Sequence, residues 1–173
     1  MKQFLKKIYN LFKVKSPDYY WQIREKAISE RGLLHHYYLN KWNKLMRRNN
    51  AFIPLNSQFT SKPTFPHGYH GIFISGGAKI GNNCTIFHQV TIGSNTLPDT
   101  KNPGAPTIGD NVYIGAGAKI IGGIHIGNNV RIGANCVVSK DIPDNSTVVL
   151  PASRVITHTE ERNNQFVSWG NNS

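Results

Sequence analysis

Cysteine is nearly missing from this chain, and its scarcity removes two common ways of stabilising a small protein. Cys84 and Cys136 are the whole supply in 173 residues, too few for a disulfide framework and too far apart for a C-x-x-C zinc pair. Long apolar runs are missing too: no stretch of 18 or more apolar residues is present to cross a bilayer. The N-terminus, MKQFLKKIYNLFKVK, has neither the apolar centre nor the small-residue cleavage site of a secretory signal, so cytoplasmic location is the expectation. Acidic residues are scarce, 9 against 20 Lys and Arg, for a net charge of +11. The imbalance is local. Residues 1–50 hold 12 of the basic and 3 of the acidic residues, a net of +9, against +2 for residues 51–173. A basic surface over the whole chain, as nucleic-acid binding requires, is therefore not expected.

What is present falls into two unlike segments. Residues 1–50 carry apolar side chains three and four apart: Phe4, Ile8, Leu11 and Phe12, then Tyr20, Ile23, Ala27 and Ile28, then Leu34, Tyr38, Trp42 and Leu45. That spacing predicts amphipathic helices, divided at Pro17-Asp18 and again at Gly32. Short helices capping a main domain are the plain expectation. Lys2, Lys6, Lys7, Lys13 and Lys15 around the first stripe also suit peripheral contact of residues 1–30 with anionic lipid at the inner face of a membrane.

From about residue 51 to 156 the period becomes six. The units run ISGGAK, IGNNCT, IFHQVT and IG from residue 74, then IGDNVY, IGAGAK, IIGGIH, IGNNVR, IGANCV and VSKDIP from residue 108. Ile or Val opens each unit, and a smaller apolar residue follows four positions later, from Ala78 and Cys84 to Cys136 and Ile142. Two inward positions per six give a short strand and a corner, with Gly or Asn after the strand supplying positive φ. Such units bury their apolar side only by stacking. Cys84 and Cys136 fall in the small inward slot, which predicts core packing rather than catalysis or metal binding. Residues 157–173 read as a C-terminal tail.

The repeat breaks twice, and irregularities in a solenoid are where sites are expected. Counting back from Ile74 predicts one extra residue within HGYHGIFI (67–74), with Phe59 and Phe65 in the second inward slot. Between Ile92 and Ile108 ten residues are extruded, giving a Pro-, Gly- and Asn-rich arm over 94–107 that suits a site cover. The breaks bracket His67, His70 and His88. Since His70 and His88 are 18 apart, one coil of three hexapeptides, they are expected to stack on one corner with His67 close by. Histidine is suited to proton removal near neutral pH, and a hydroxyl attacking a thioester needs such a base.

These motifs clearly resemble the hexapeptide-repeat acyltransferases. The resemblance implies an all-β main domain, a left-handed parallel β-helix preceded by a short α-helical segment, and a homotrimer with sites between coils. The run FPHGYHGIFISGGAKIGNNCTIFHQVTIG is similar to the serine-acetyltransferase-like branch, in which a Phe-x-His before a Gly-Ile-apolar strand carries the base; here that is Phe65-Pro66-His67. One residue more than usual separates His67 from Gly71, which keeps His70 a rival. The galactoside and maltose acetyltransferases carry their histidine on the extruded loop, and this loop has none. The resemblance further implies acetyl-CoA as acyl donor, contacted by Ala116, Ala134, Ser139, Lys140 and Arg154.

Two departures bear on the acceptor. The upstream Asp that orients the family's base falls at about Phe52, leaving Asn56 as the nearest polar candidate. The Arg-His pair that grips an amino-acid carboxylate is replaced by Gly104-Ala105-Pro106-Thr107. A neutral sugar hydroxyl needs no such clamp, so O-acetylation of a capsule, exopolysaccharide or O-antigen sugar, free or lipid-linked, is the expectation, with serine O-acetyltransfer the alternative. Readings of another class are a non-catalytic scaffold and a metal-dependent hydratase using His67, His70 and His88; no metal site is expected.

Overall fold

The computed structural model describes residues 17–165; the basic stretch 1–16, with the apolar stripe at Phe4, Ile8, Leu11 and Phe12, lies outside them, as do residues 166–173. From residue 51 onward the chain winds into a parallel β-helix of triangular section. Face A carries β2 (Phe73–Ile74), β5 (Thr91–Gly93), β8 (Lys119–Ile121) and β11 (Val137–Val138). Face B carries β1 (Gln58–Phe59), β3 (Lys79–Ile80), β6 (Thr107–Ile108) and β9 (His125–Ile126). Face C carries β4 (Thr85–Ile86), β7 (Tyr113–Ile114), β10 (Arg131–Ile132) and β12 (Thr147–Val148).

Alternation along a strand decides what is inside. Ile74, Ile92, Ile120 and Val138 superpose as one buried column of face A, while Phe73, Thr91, Lys119 and Val137 point out. Ala78, Cys84, Val90, Val112, Ala118, Ile124, Val130 and Cys136 fill the corners from within. Each buried isoleucine contributes about 1.5–3 kcal/mol, so these columns drive the winding. Both cysteines are free and buried, and burial pushes the Cys84 thiol above its ordinary range.

Three details refine the sequence expectation. Positive φ is supplied after the strand as expected, and it falls on the third residue after the inward one, at Asn83, Asn111, Asn129 and Asn135. Glycine directly after the strand answers close stacking instead: a Cβ on Gly109 would lie 2.9 Å from the Gly127 carbonyl oxygen. Second, Phe59 pairs with Ile80, 21 residues on, whereas Ile74 pairs with Ile92, 18 on. Three residues, not one, are therefore inserted, and Phe59 and Phe65 occupy the opening inward slot. The insertion turns through Gly68 and Gly71, both at positive φ, and folds Tyr69 back against Phe65 and Trp42. Third, the last coil is short by two: Ile126 bridges Ile142 and Ile132 pairs with Val148, each 16 apart. Ile142 thus stands in the opening slot, not the second.

Two helices, α1 (Pro17–Ser29) and α2 (Gly32–Arg48), plug the open end of the first coil. Trp21 packs edge-on against Phe59 at 5.0 Å, and the Trp42 indole N–H donates to the Ile53 carbonyl at 2.7 Å. Arg24, 4% exposed, lies over Trp21 and Phe59 and donates to the Leu55 and Ser57 carbonyls at 3.2 and 2.6 Å. Burial lowers its pKa to about 10. Ile28 and Leu34, expected on the buried stripes, are exposed, and Trp21 and Met46 are buried instead. Each helix is packed by what closes the β-helix end, which periodicity within the helix does not encode.

Where faces B and C meet, asparagine side chains form a ladder: Asn83 donates to Asn111 at 2.8 Å, Asn111 to Asn129 at 3.2 Å and Asn129 to Asn145 at 3.1 Å. Asn111→Gly keeps the left-handed backbone and loses the ladder, whereas Asn111→Ala loses both. Urea unfolding is expected to place the Ala variant about 1–2 kcal/mol below the Gly variant; equal stability would assign the ladder, not φ, the main role.

Candidate active site

The corner joining face C to face A stacks residues 66–71, 87–89, 115–117 and 133–135. Its rungs are main-chain bonds: Gln89 N–H to the His70 carbonyl at 2.8 Å, Gly117 N–H to that of His88 at 3.0 Å, and Asn135 N–H to that of Ala116 at 2.8 Å. The same rung places Gly71 against Gln89 and His70 in register with His88, 18 residues on, as expected. The inserted residues lie in the first of these corners and bring the His67 ring against that of His88 as well. Their Nδ1 atoms are 2.8 Å apart and their ring centroids 4.8 Å. The His67 edge also packs on Phe87, which leans on Tyr113.

His70 and His88 line a groove of about 660 Å³ together with Arg48, Asn49, Asn50 and Lys119. The Asn49 carbonyl accepts the Gly71 N–H at 2.9 Å, and Lys119 Nζ donates to the Gln89 carbonyl at 2.6 Å. These four residues were not among the sequence candidates. Asn49 and Asn50 end α2, and only the docking of that helix on the first coil carries them to the groove. Asn56 stays away, at the corner between faces A and B, against Gly76.

The arm over residues 94–106 leaves that same A–B corner. An Asn95–Gly104 antiparallel bridge closes its base, and Gly123 N–H donates to the Asn102 carbonyl at 3.0 Å. It stands across face A from the imidazoles, so within one chain it does not cover them. Of the five residues implied for CoA, Ala116 and Ala134 follow His88 on the imidazole corner and are partly or fully exposed. Ser139 and Lys140 follow β11 at the A–B corner, and Arg154 is exposed in the irregular segment after β12. Among the described residues no three His, Cys, Asp or Glu side chains are grouped as metal ligands.

His67 and His70 are exposed, and His70 holds the corner through its carbonyl alone. His67→Ala and His70→Ala are thus expected to unfold within about 0.5 kcal/mol of wild type; a larger loss in urea would make them structural residues.

Comparison with known proteins is consistent in direction. Residues 105–140 match the family model for bacterial transferase hexapeptide, six repeats. The chain is 43% identical over 90 residues to a serine acetyltransferase of Mycobacterium tuberculosis, covering 52% of this chain and 38% of that protein. It is 44% identical over 91 residues to one of Helicobacter pylori, covering 53% and 52%. The crystal structure of serine acetyltransferase isoform 3 from Entamoeba histolytica, in complex with cysteine, superposes with a TM-score of 0.67 at 29% identity, over 85% of this chain and 52% of that one. The Neisseria gonorrhoeae enzyme in complex with serine gives 0.59 at 30%, over 78% and 53%. The chain spans about half or less of the length of these relatives. Its repeats wind as the left-handed β-helix of those structures, and the chain is similar to the hexapeptide-repeat acyltransferases of the serine-acetyltransferase-like branch.

Proposed function

We propose that the protein transfers the acetyl group of acetyl-CoA to a hydroxyl oxygen, with His67 as general base. The observation that carries this reading is an exposed imidazole fixed through Nδ1 against His88, at the head of a corner that continues into Ala116 and Ala134. His67 Nε2 takes the acceptor's proton as its oxygen attacks the thioester carbonyl. Collapse of the tetrahedral species breaks the C–S bond, and the imidazolium returns the proton to the departing thiolate. Small residues at 116 and 134 let a pantetheine chain run close to the backbone. Ser139, Lys140 and Arg154 lie elsewhere on one chain, so they reach the same CoA only across an interface between copies. Homotrimer assembly supplies such an interface, and the outward apolar residues Phe52, Phe73 and Val137 of face A support it.

Serine is the acceptor favoured by the names of the relatives, ahead of the sugar hydroxyl expected from the sequence. The sugar stays a second reading on one observation: Gly104, Ala105, Pro106 and Thr107 offer no cation to a carboxylate. A thiol-release assay with acetyl-CoA against serine, simple sugars and nucleotide-sugars separates the two. His67→Ala is expected to lower kcat by about 10²- to 10⁴-fold. Full activity of that variant, or no CoA binding by the wild type, would leave a scaffold as the better description.

Contact with anionic lipid rests on a second feature. No helix among the described residues is long and apolar enough to cross a membrane, but the α1–α2 turn exposes Leu33 at 88%, with Ile28, Leu34 and Tyr37 also exposed. Lys26, Arg31 and Lys41 are exposed on the same hairpin, a composition suited to an interface. Removing residues 1–30 would also remove the buried Trp21 and Arg24, so point variants are the cleaner test. The protein is expected to sediment with anionic but not neutral vesicles, and Leu33→Glu with Leu34→Glu to weaken this about tenfold. Unchanged sedimentation would remove the turn from the contact.

A further inference from the structure

Two imidazole nitrogens 2.8 Å apart impose a condition on each other. Two N–H groups cannot face one another at that distance, and neither can two lone pairs bond, so one Nδ1 carries a proton and the other accepts it. Among the described residues no carboxylate bonds either ring; the sole ion pair is Lys62 with Asp18. The two rings are also unequal. His88 is half-buried, and its carbonyl is tied to Gly117 N–H at 3.0 Å. His67 is exposed and sits in the three-residue insertion, between Pro66 and the left-handed Gly68. One ring is anchored in the ladder and the other is presented outward.

We propose that His88 is the positioning residue for His67: its Nδ1 lone pair accepts the His67 Nδ1–H and so fixes His67 in the tautomer whose Nε2 is bare. This rests on the acyl-transfer reading for the role of His67, but the proton's place can be read without turnover. His88 is then the Nε2–H tautomer, and it lines the groove together with His70. The insertion has a chemical consequence, since without it His67 would not lie over His88. The bond also explains how a base can be oriented where Phe52 and Asn56 supply no carboxylate.

The test combines spectroscopy with substitutions. Long-range ¹H–¹⁵N correlation spectra of ¹⁵N-histidine-labelled protein, assigned with His67→Ala and His88→Ala, are expected to show His67 protonated at Nδ1 and His88 at Nε2. In His88→Asn the side-chain Oδ1 takes the place of Nδ1 as acceptor, whereas His88→Leu keeps the bulk without an acceptor. His88→Leu is expected to lose about 100-fold or more in kcat with the KM for acetyl-CoA within about twofold, and His88→Asn to recover most of that loss. A proton on His88 Nδ1, or equal activity of the Asn and Leu variants, overturns the assignment. Absence of thiol release by the wild type counts against acyl transfer alone, because the tautomers are observed regardless.

Discussion

Parallel stacking of coils at fixed register is the constraint on which the rest depends. A strand here has two or three residues, too few to hold itself, so every main-chain bond on a face goes to the coil before or after. Each inward column must then superpose, Ile80 on Ile108 on Ile126 for face B. Any inserted or deleted residue has to be absorbed within a single corner. The chain uses that freedom three times: three residues gained before β2, ten after β5, two lost before Ile142. The first of these changes makes the proposed site, because it displaces one imidazole from the ladder and leaves it against another.

The hexapeptide period was legible because inward residues recur at fixed intervals and are chemically distinct from outward ones. The C–A corner was legible for a similar reason, since residues 18 apart share a corner. What failed was phase. Counting back from Ile74 treats Phe59 and Phe65 as second-slot residues, because a large aromatic can fill either inward position; only the pairing of Phe59 with Ile80 decides. The contact between His67 and His88 follows from that same phase, whereas His70 keeps the register with His88 that the 18-residue count gives. The groove residues Arg48, Asn49 and Asn50 were illegible for another reason. They belong to a helix whose docking on the first coil is a tertiary event, set by Trp21, Trp42 and Arg24 against Phe59, Ile53 and the carbonyls of Leu55 and Ser57.

Arg24 shows how much that docking contributes. A guanidinium buried without a carboxylate is costly, and here the cost is offset by two carbonyls and two aromatic faces. The carbonyls it satisfies belong to the A–B corner of the first coil, which has no coil above it. The helical hairpin thus acts as a cap of the kind solenoids need, and it brings the groove wall with it. Fold and site share the same junction.

The central claim is that this corner moves an acetyl group from sulfur to oxygen. Product identification tests it most directly: full-length protein incubated with acetyl-CoA and serine, then with candidate sugars, and each acceptor analysed by mass spectrometry and NMR. The account predicts free CoA and an acceptor carrying one acetyl ester on a hydroxyl, formed in equal amounts. Consumption of acetyl-CoA with no acetylated acceptor, or acetylation on nitrogen in place of oxygen, would contradict it.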